Sequence, residues 1–186
     1  LLNTGTIKQI TPSGTWYESR EKFDESQVGV PLKEHKNSGF ELISGKAQFS
    51  GKILGGCIDS IYDMFDGERY EDMPAVCEKY GFFPSLDDWK DKILLLESSE
   101  ELMPPEKYAK ALDYMKNTGV FGVISGIIAG KPMNGKYHDE YKRLLAEKTA
   151  EYELPVLCNI SIGHALPRCI IPFGVTAEVD AEKQTI

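Results

Sequence analysis

The chain has 186 residues, with 21 Lys or Arg against 29 Asp or Glu and a formal net charge of −8. That length is enough for one substantial core and does not demand a second. The acidic balance argues against a nucleic-acid backbone or an anionic membrane surface as the main partner, and the longest nearly uncharged apolar run, Val120 to Gly130, is too short to span a bilayer.

The opening, Leu1-Leu-Asn-Thr-Gly-Thr6, has no basic region and no signal-peptide core, and its missing initiator Met points to a processed product or an excised piece. Residues 1–37 are polar, broken by Pro12, Gly14 and Pro31, and carry a charge cluster from Glu18 to Glu25. Without an apolar period they are expected to form a linker or arm that needs a partner surface, leaving residues 38–186 as the folded domain. Two short strands follow at Phe40–Ile43 and Ala47–Leu54, then a helix with Ile58, Ile61, Tyr62 and Phe65 on one face and Gly67 closing it. A charged segment from Glu68 to Lys79 has helical character. Pro84-Ser85-Leu-Asp-Asp88 is a helix-start signal ahead of Trp89.

Lys92-Ile-Leu-Leu-Leu-Glu97 has strand length. Pro104-Pro105-Glu106 opens a helix whose stripe is Tyr108, Ala111, Leu112 and Met115, and Asn117-Thr-Gly119 ends it. Val120 to Ala129 reads as a buried strand, and His138 to Tyr152 as an amphipathic helix with Tyr141, Leu144, Leu145 and Lys148 at helical spacing. Pro155–Ile160 and Cys169–Phe173 read as two more strands. Continuous rather than alternating apolar strands, interleaved with helices, predict an α/β fold with a small mixed or partly parallel sheet and flanking helices.

In open α/β sheets ligands bind beyond the carboxyl ends of the strands. Two strands here end in useful chemistry: one delivers Glu97, the other runs through Asn159-Ile-Ser-Ile-Gly-His164. A carboxylate that fixes an imidazole in one tautomer leaves the outer nitrogen as a general base. The plainer readings are a solvated Glu-Ser-Ser-Glu-Glu loop and an ordinary loop histidine. No Gly-x-Ser-x-Gly elbow occurs to supply a nucleophile, and Ser125 sits within an apolar run. Cys158 and Cys169 bracket His164, but both lie in apolar strands where inert thiols are expected.

Cys57, Cys77, Cys158 and Cys169 show no CxxC pair, so neither a metal site nor a disulfide scaffold is indicated, and reduced thiols in a cytoplasmic protein are expected. Gly55-Gly56 at a helix start can offer N–H groups to an anion or simply make a tight turn. Gly130-Lys131-Pro132 reads as a turn. Arg168 can clamp a carboxylate or sit in a surface ion pair. Trp16 can pack on a ligand or anchor the arm.

Taken as a set and in this order, Gly51-Lys-Ile-Leu-Gly-Gly56, Trp89 through Glu97, Gly119-Val-Phe121 with Gly126 through Pro132, and Gly163-His164 through Gly174 resemble the C-terminal half of the LD-carboxypeptidase and microcin-C immunity serine peptidases. The resemblance is greatest to the immunity-like branch, and it spans residues 39–180. It implies a swivelling β/β/α-type domain and a Ser–His–Glu triad split between two domains. Glu97 falls on the family's acid and His164 on its histidine, while the serine belongs to an N-terminal domain outside this chain. It further implies a small peptide, peptidyl-nucleotide or murein-peptide substrate, the N-terminal domain of the same parent chain as partner, a homodimer, no metal or cofactor, and no activity for this piece alone. Cys57 departs from the family's usual Asn after the double glycine. The competing reading is a non-catalytic peptide-binding or interaction domain of the same fold.

Overall fold

The computed structural model describes residues 9–186, so residues 1–8 of the expected arm lie outside it. Four apolar runs become the parallel centre of a six-stranded sheet: β4 (Gln48–Cys57), β5 (Lys92–Glu97), β6 (Gly126–Gly130) and β7 (Val156–Ile160). Two antiparallel edge strands flank them, β3 (Glu41–Ser44) on β7 and β8 (Thr176–Asp180) on β4, giving the order β3-β7-β6-β5-β4-β8. The mixed α/β architecture with flanking helices is the one the apolar pattern predicts.

Three helices cover one face: α1 (Ile58–Asp66), α4 (Pro105–Asn117) and α5 (His138–Thr149). The alternation within β5 sorts its side chains. Leu94 and Leu96 enter the helix-side core with Tyr62, Leu112, Met115 and Leu145, whereas Ile93 and Leu95 face a second cluster with Ile128, Leu157 and Ile160. Full burial of each such side chain contributes about 1.5–3 kcal/mol. The stripe expected on α4 is buried as read, and α1 ends at Gly67 in the left-handed conformation. On α5 the fourth buried position is Thr149; Lys148 instead bonds Asp113 of α4 at 2.6 Å.

Between these lie α2 (Met73–Tyr80) and the single turn α3 (Leu86–Trp89), whose start at Ser85 is a reciprocal capping box with Asp88. Two readings are corrected. The run from Val120 is not one strand: residues Val120–Gly122 form a 3₁₀ turn after Gly119 (φ 84°), and extended structure begins only at Gly126. Ser125 stays at that junction, its hydroxyl donating to Lys92 O at 3.2 Å. Cys169–Phe173 is not a strand either; the last strand is β8, where Gly174 N donates to Ile53 O and the chain turns into register with β4.

The arm also takes structure. β1 (Thr15–Tyr17) pairs with β2 (Glu34–Lys36) as a two-stranded ribbon. Tyr17 N donates to Leu166 O at 2.9 Å, which pins the ribbon beside the segment after β7. Among the described residues no helix is long and apolar enough to cross a membrane.

Candidate active site

Parallel pairing puts the carboxyl ends of β4, β5 and β6 at one edge, with Cys57 in register with Glu97 and Leu96 with Ala129. β7 reaches the same edge, Ile160 pairing with Gly130. There the chain runs through Ser161 and Ile162 to Gly163 and His164. The His164 Nδ1–H donates to Glu97 Oε2 at 3.0 Å. Glu97 is only 14% exposed and His164 32%, so the pair is sheltered on one side and open on the other.

Gly163 explains the closeness of that pair. Its φ is +62°, and a Cβ added there would lie 2.1 Å from Glu97 Oε2. The carboxylate therefore rests on the bare α-carbon of the residue preceding the imidazole. Gly130 gives room from the other side, since its Cβ would meet Glu97 Cβ at 3.2 Å.

The Glu-Ser-Ser-Glu-Glu stretch is not a solvated loop throughout. Ser98 and Ser99 are buried, and Ser99 N donates to Asp59 Oδ2 at 2.9 Å, which ties the end of β5 to the first turn of α1. Only past this anchor does the chain emerge: Glu100, 65% exposed, places Oε2 2.9 Å from His164 Nε2. The outer nitrogen thus faces a carboxylate that is itself largely exposed to solvent. Nothing in the sequence separated Glu100 from its acidic neighbours.

A buried amide stiffens the approach to His164. Asn159, 1% exposed with φ 66°, shares its Nδ2 hydrogens among Asn37 Oδ1, Ser38 Oγ and Gly39 O, joining the end of the arm to the end of β7.

The thiols are set apart from this chemistry. Burial pushes Cys158 up to about 12, and burial aided by the Glu97 and Asp59 carboxylates does the same to Cys57, whose Sγ–H points at Asp59 Oδ2 at 3.4 Å. Burial also raises Cys169. All four cysteines are free. At pH 8 a thiol with a pKa near 12 is about one part in 10⁴ thiolate. Iodoacetamide at that pH should leave Cys57 and Cys158 of the folded chain unmodified by mass spectrometry, with the Cys57 rate rising about tenfold per pH unit; all four should react in urea. A Cys57 adduct forming at the rate of a free thiol would contradict this.

The remaining candidates scatter. Gly55 (φ +142°) lies where a Cβ would meet Leu95 O at 2.0 Å, so its glycine is demanded by sheet packing. Arg168 is exposed and has no carboxylate within ion-pair range among the described residues. Trp16 stacks on His35 within the ribbon of the arm at 4.1 Å, and its ring edge lies against Gly135 of the domain. Lys131 is buried rather than at an open turn.

Residues 50–179 match the family described as LD-carboxypeptidase C-terminal domain. A Treponema pallidum protein that carries a carboxypeptidase name is 26% identical over 160 residues, covering 83% of this chain and 42% of that protein. The microcin C7 self-immunity protein MccF of Escherichia coli is 23% identical over 175 residues, covering 92% and 45%. Among solved structures, an MccF-like protein from Streptococcus pneumoniae in complex with AMP is 50% identical, with a TM-score of 0.93 over 98% of this chain and 53% of that one. MccF in complex with glutamyl sulfamoyl guanosine, at 22% identity and a TM-score of 0.71, shares the fold. The chain spans under half the length of these curated relatives.

Proposed function

Because the chain belongs to the LD-carboxypeptidase C-terminal domain family, we propose that it supplies the general base and its orienting carboxylate to a serine peptidase whose nucleophile lies on a further domain, outside residues 1–186. The observation that carries this reading is the 3.0 Å contact between His164 Nδ1 and Glu97 Oε2 at the carboxyl edge of the sheet. Glu97 fixes the tautomer in which Nε2 has a free lone pair and stabilises the imidazolium that forms.

The steps follow from that geometry. Glu100 swings away from Nε2 and a serine hydroxyl takes its place. His164 Nε2 removes the hydroxyl proton as the oxygen attacks the amide carbon. The same proton passes to the leaving nitrogen as the C–N bond breaks, leaving an acyl-serine. Water then gives its proton to Nε2, its oxygen attacks the ester carbon, and the proton returns to serine as the acid departs.

The substrate class we propose is an amide of an acyl-aminoacyl nucleotide or a similar small peptide conjugate. The half-identical pneumococcal protein holds AMP, and MccF holds an aminoacyl sulfamoyl nucleoside, which supports the nucleotide conjugate over a murein peptide.

The purified chain, lacking a nucleophile, should release no amino acid from a peptidyl-adenylate analogue above the buffer rate. Hydrolysis by this chain that survives His164→Ala would overturn the half-site reading, and hydrolysis abolished by Cys158→Ala or Cys169→Ala would replace it with a cysteine enzyme.

A further inference from the structure

The stretch that follows β5 is held at both ends. Ser99 N donates to Asp59 Oδ2 at 2.9 Å, and the Tyr141 hydroxyl of α5 donates to Met103 O, with Ser99 and Met103 both buried. Between these anchors the chain folds back on itself. Leu102 N donates to Ser99 O at 3.3 Å and Glu101 N to Ser99 Oγ at 3.2 Å, while Leu102 takes a left-handed φ of 52°.

Glu100 and Glu101 are the two central residues of that turn, and their side chains part. Glu101 lies 3.6 Å from Arg69, whereas Glu100 Oε2 lies 2.9 Å from His164 Nε2. None of the bonds that make the turn uses either carboxylate. The turn therefore fixes the backbone of Glu100 and leaves only its side-chain torsions to decide the contact.

That carboxylate stands where the reaction needs something else. A hydroxyl that gives its proton to the imidazole must come within about 2.6–3.2 Å of Nε2. Glu100 Oε2 already sits at that distance, and an ionised carboxylate accepts hydrogen bonds but has no proton to give. The inner nitrogen is meanwhile engaged by Glu97 at 3.0 Å. Both ring nitrogens thus face carboxylates.

We infer that Glu100 is an autoinhibitory cap on His164, covering the outer ring nitrogen until a nucleophile hydroxyl displaces it. The cap presupposes the reading of His164 as a general base, and adds that the base is withheld while the nucleophile is absent. An ion pair whose acid is 65% exposed is weak, which suits a contact that must give way to a hydroxyl.

The cap can be read without turnover. Diethyl pyrocarbonate acylates an uncovered imidazole nitrogen, and peptide mapping by mass spectrometry separates His164 from His35 and His138. In the folded chain at neutral pH, Glu100→Ala should speed acylation of His164 about threefold or more, a factor within reach of an exposed ion pair. Glu101→Ala removes the same charge from the same turn and should leave the His164 rate within about 1.5-fold, because its carboxylate faces Arg69. His35 and His138 should react alike in all three proteins, and their circular dichroism should match. An unchanged His164 rate in Glu100→Ala would overturn the cap, and so would equal acceleration by Glu101→Ala, which would reduce the contact to a general effect of charge. Failure here leaves hydrolysis by the longer protein untouched, whereas turnover of the longer protein that survives His164→Ala would refute the base and with it the inhibition.

Discussion

If His164 is the general base proposed above, His164→Ala in a longer protein that carries the nucleophile should lower kcat by about 10³-fold or more and leave KM within about threefold, because the lost group acts on the proton in flight and not on the bound substrate. The substitution is structurally mild. His164 is about one-third exposed, and its partners are two carboxylates at the mouth of the site rather than the core. Circular dichroism and the thermal midpoint should therefore match the parent protein while turnover collapses. Glu97→Gln should show a related loss by another route. An amide in place of the carboxylate presents both a donor and an acceptor to Nδ1, so the tautomer with a free Nε2 lone pair is no longer enforced. Steady-state release of product from an aminoacyl-nucleotide conjugate measures both. A fall of less than tenfold for His164→Ala would remove the imidazole from the reaction.

The sequence was legible where local chemistry and burial agree. The α4 stripe recurs at helical spacing between a proline start and a glycine stop, and all four of its positions are buried. β5 was equally plain because a strand covered on both faces needs an unbroken apolar run. Val120 to Ala129 failed for the same reason turned around: continuous apolarity has no period, so a 3₁₀ turn and a strand look alike until Gly119 takes a left-handed conformation. β8 was missed because Thr-Ala-Glu-Val-Asp is an edge strand with only Val179 fully buried, while Ile170 and Phe173, 74% and 55% exposed, drew attention to the wrong segment.

The same division runs through the site. Glu97 could be found because a strand end places it, and the structure brings His164 to it. Glu100 could not, since its place at Nε2 depends on Ser98 and Ser99 turning inward first. Lys131 could not either: nothing within Gly-Lys-Pro says that Trp16, more than a hundred positions earlier, will lie against the ammonium.

Gly163→Ala should cost about a hundredfold in kcat, although the added methyl carries no chemistry and touches no reacting group. Two effects combine. An alanine at φ +62° loses about 1 kcal/mol of backbone stability, worth about 2–4 °C in the thermal midpoint of a chain this size. The methyl also cannot coexist with Glu97 as it stands, because its carbon would lie 2.1 Å from Oε2, 2.5 Å from Cδ and 2.8 Å from Cγ. Backbone behind Gly163 is held by the Ile162 N to Ile160 O bond at 2.9 Å and by Cys169 N on Ser161 O at 2.8 Å, so the carboxylate is the part that yields. It must move by about 1 Å, enough to break a 3.0 Å hydrogen bond and to cost about 10² in kcat. If Gly163 acts only by seating Glu97 against His164, the double variant Gly163→Ala/His164→Ala is no slower than His164→Ala alone, the non-additivity expected of groups that work as one unit. Multiplying losses in the double variant would mean that Gly163 serves the reaction by another route, and a single variant within threefold of the parent would mean that the Glu97–His164 contact does not govern the rate.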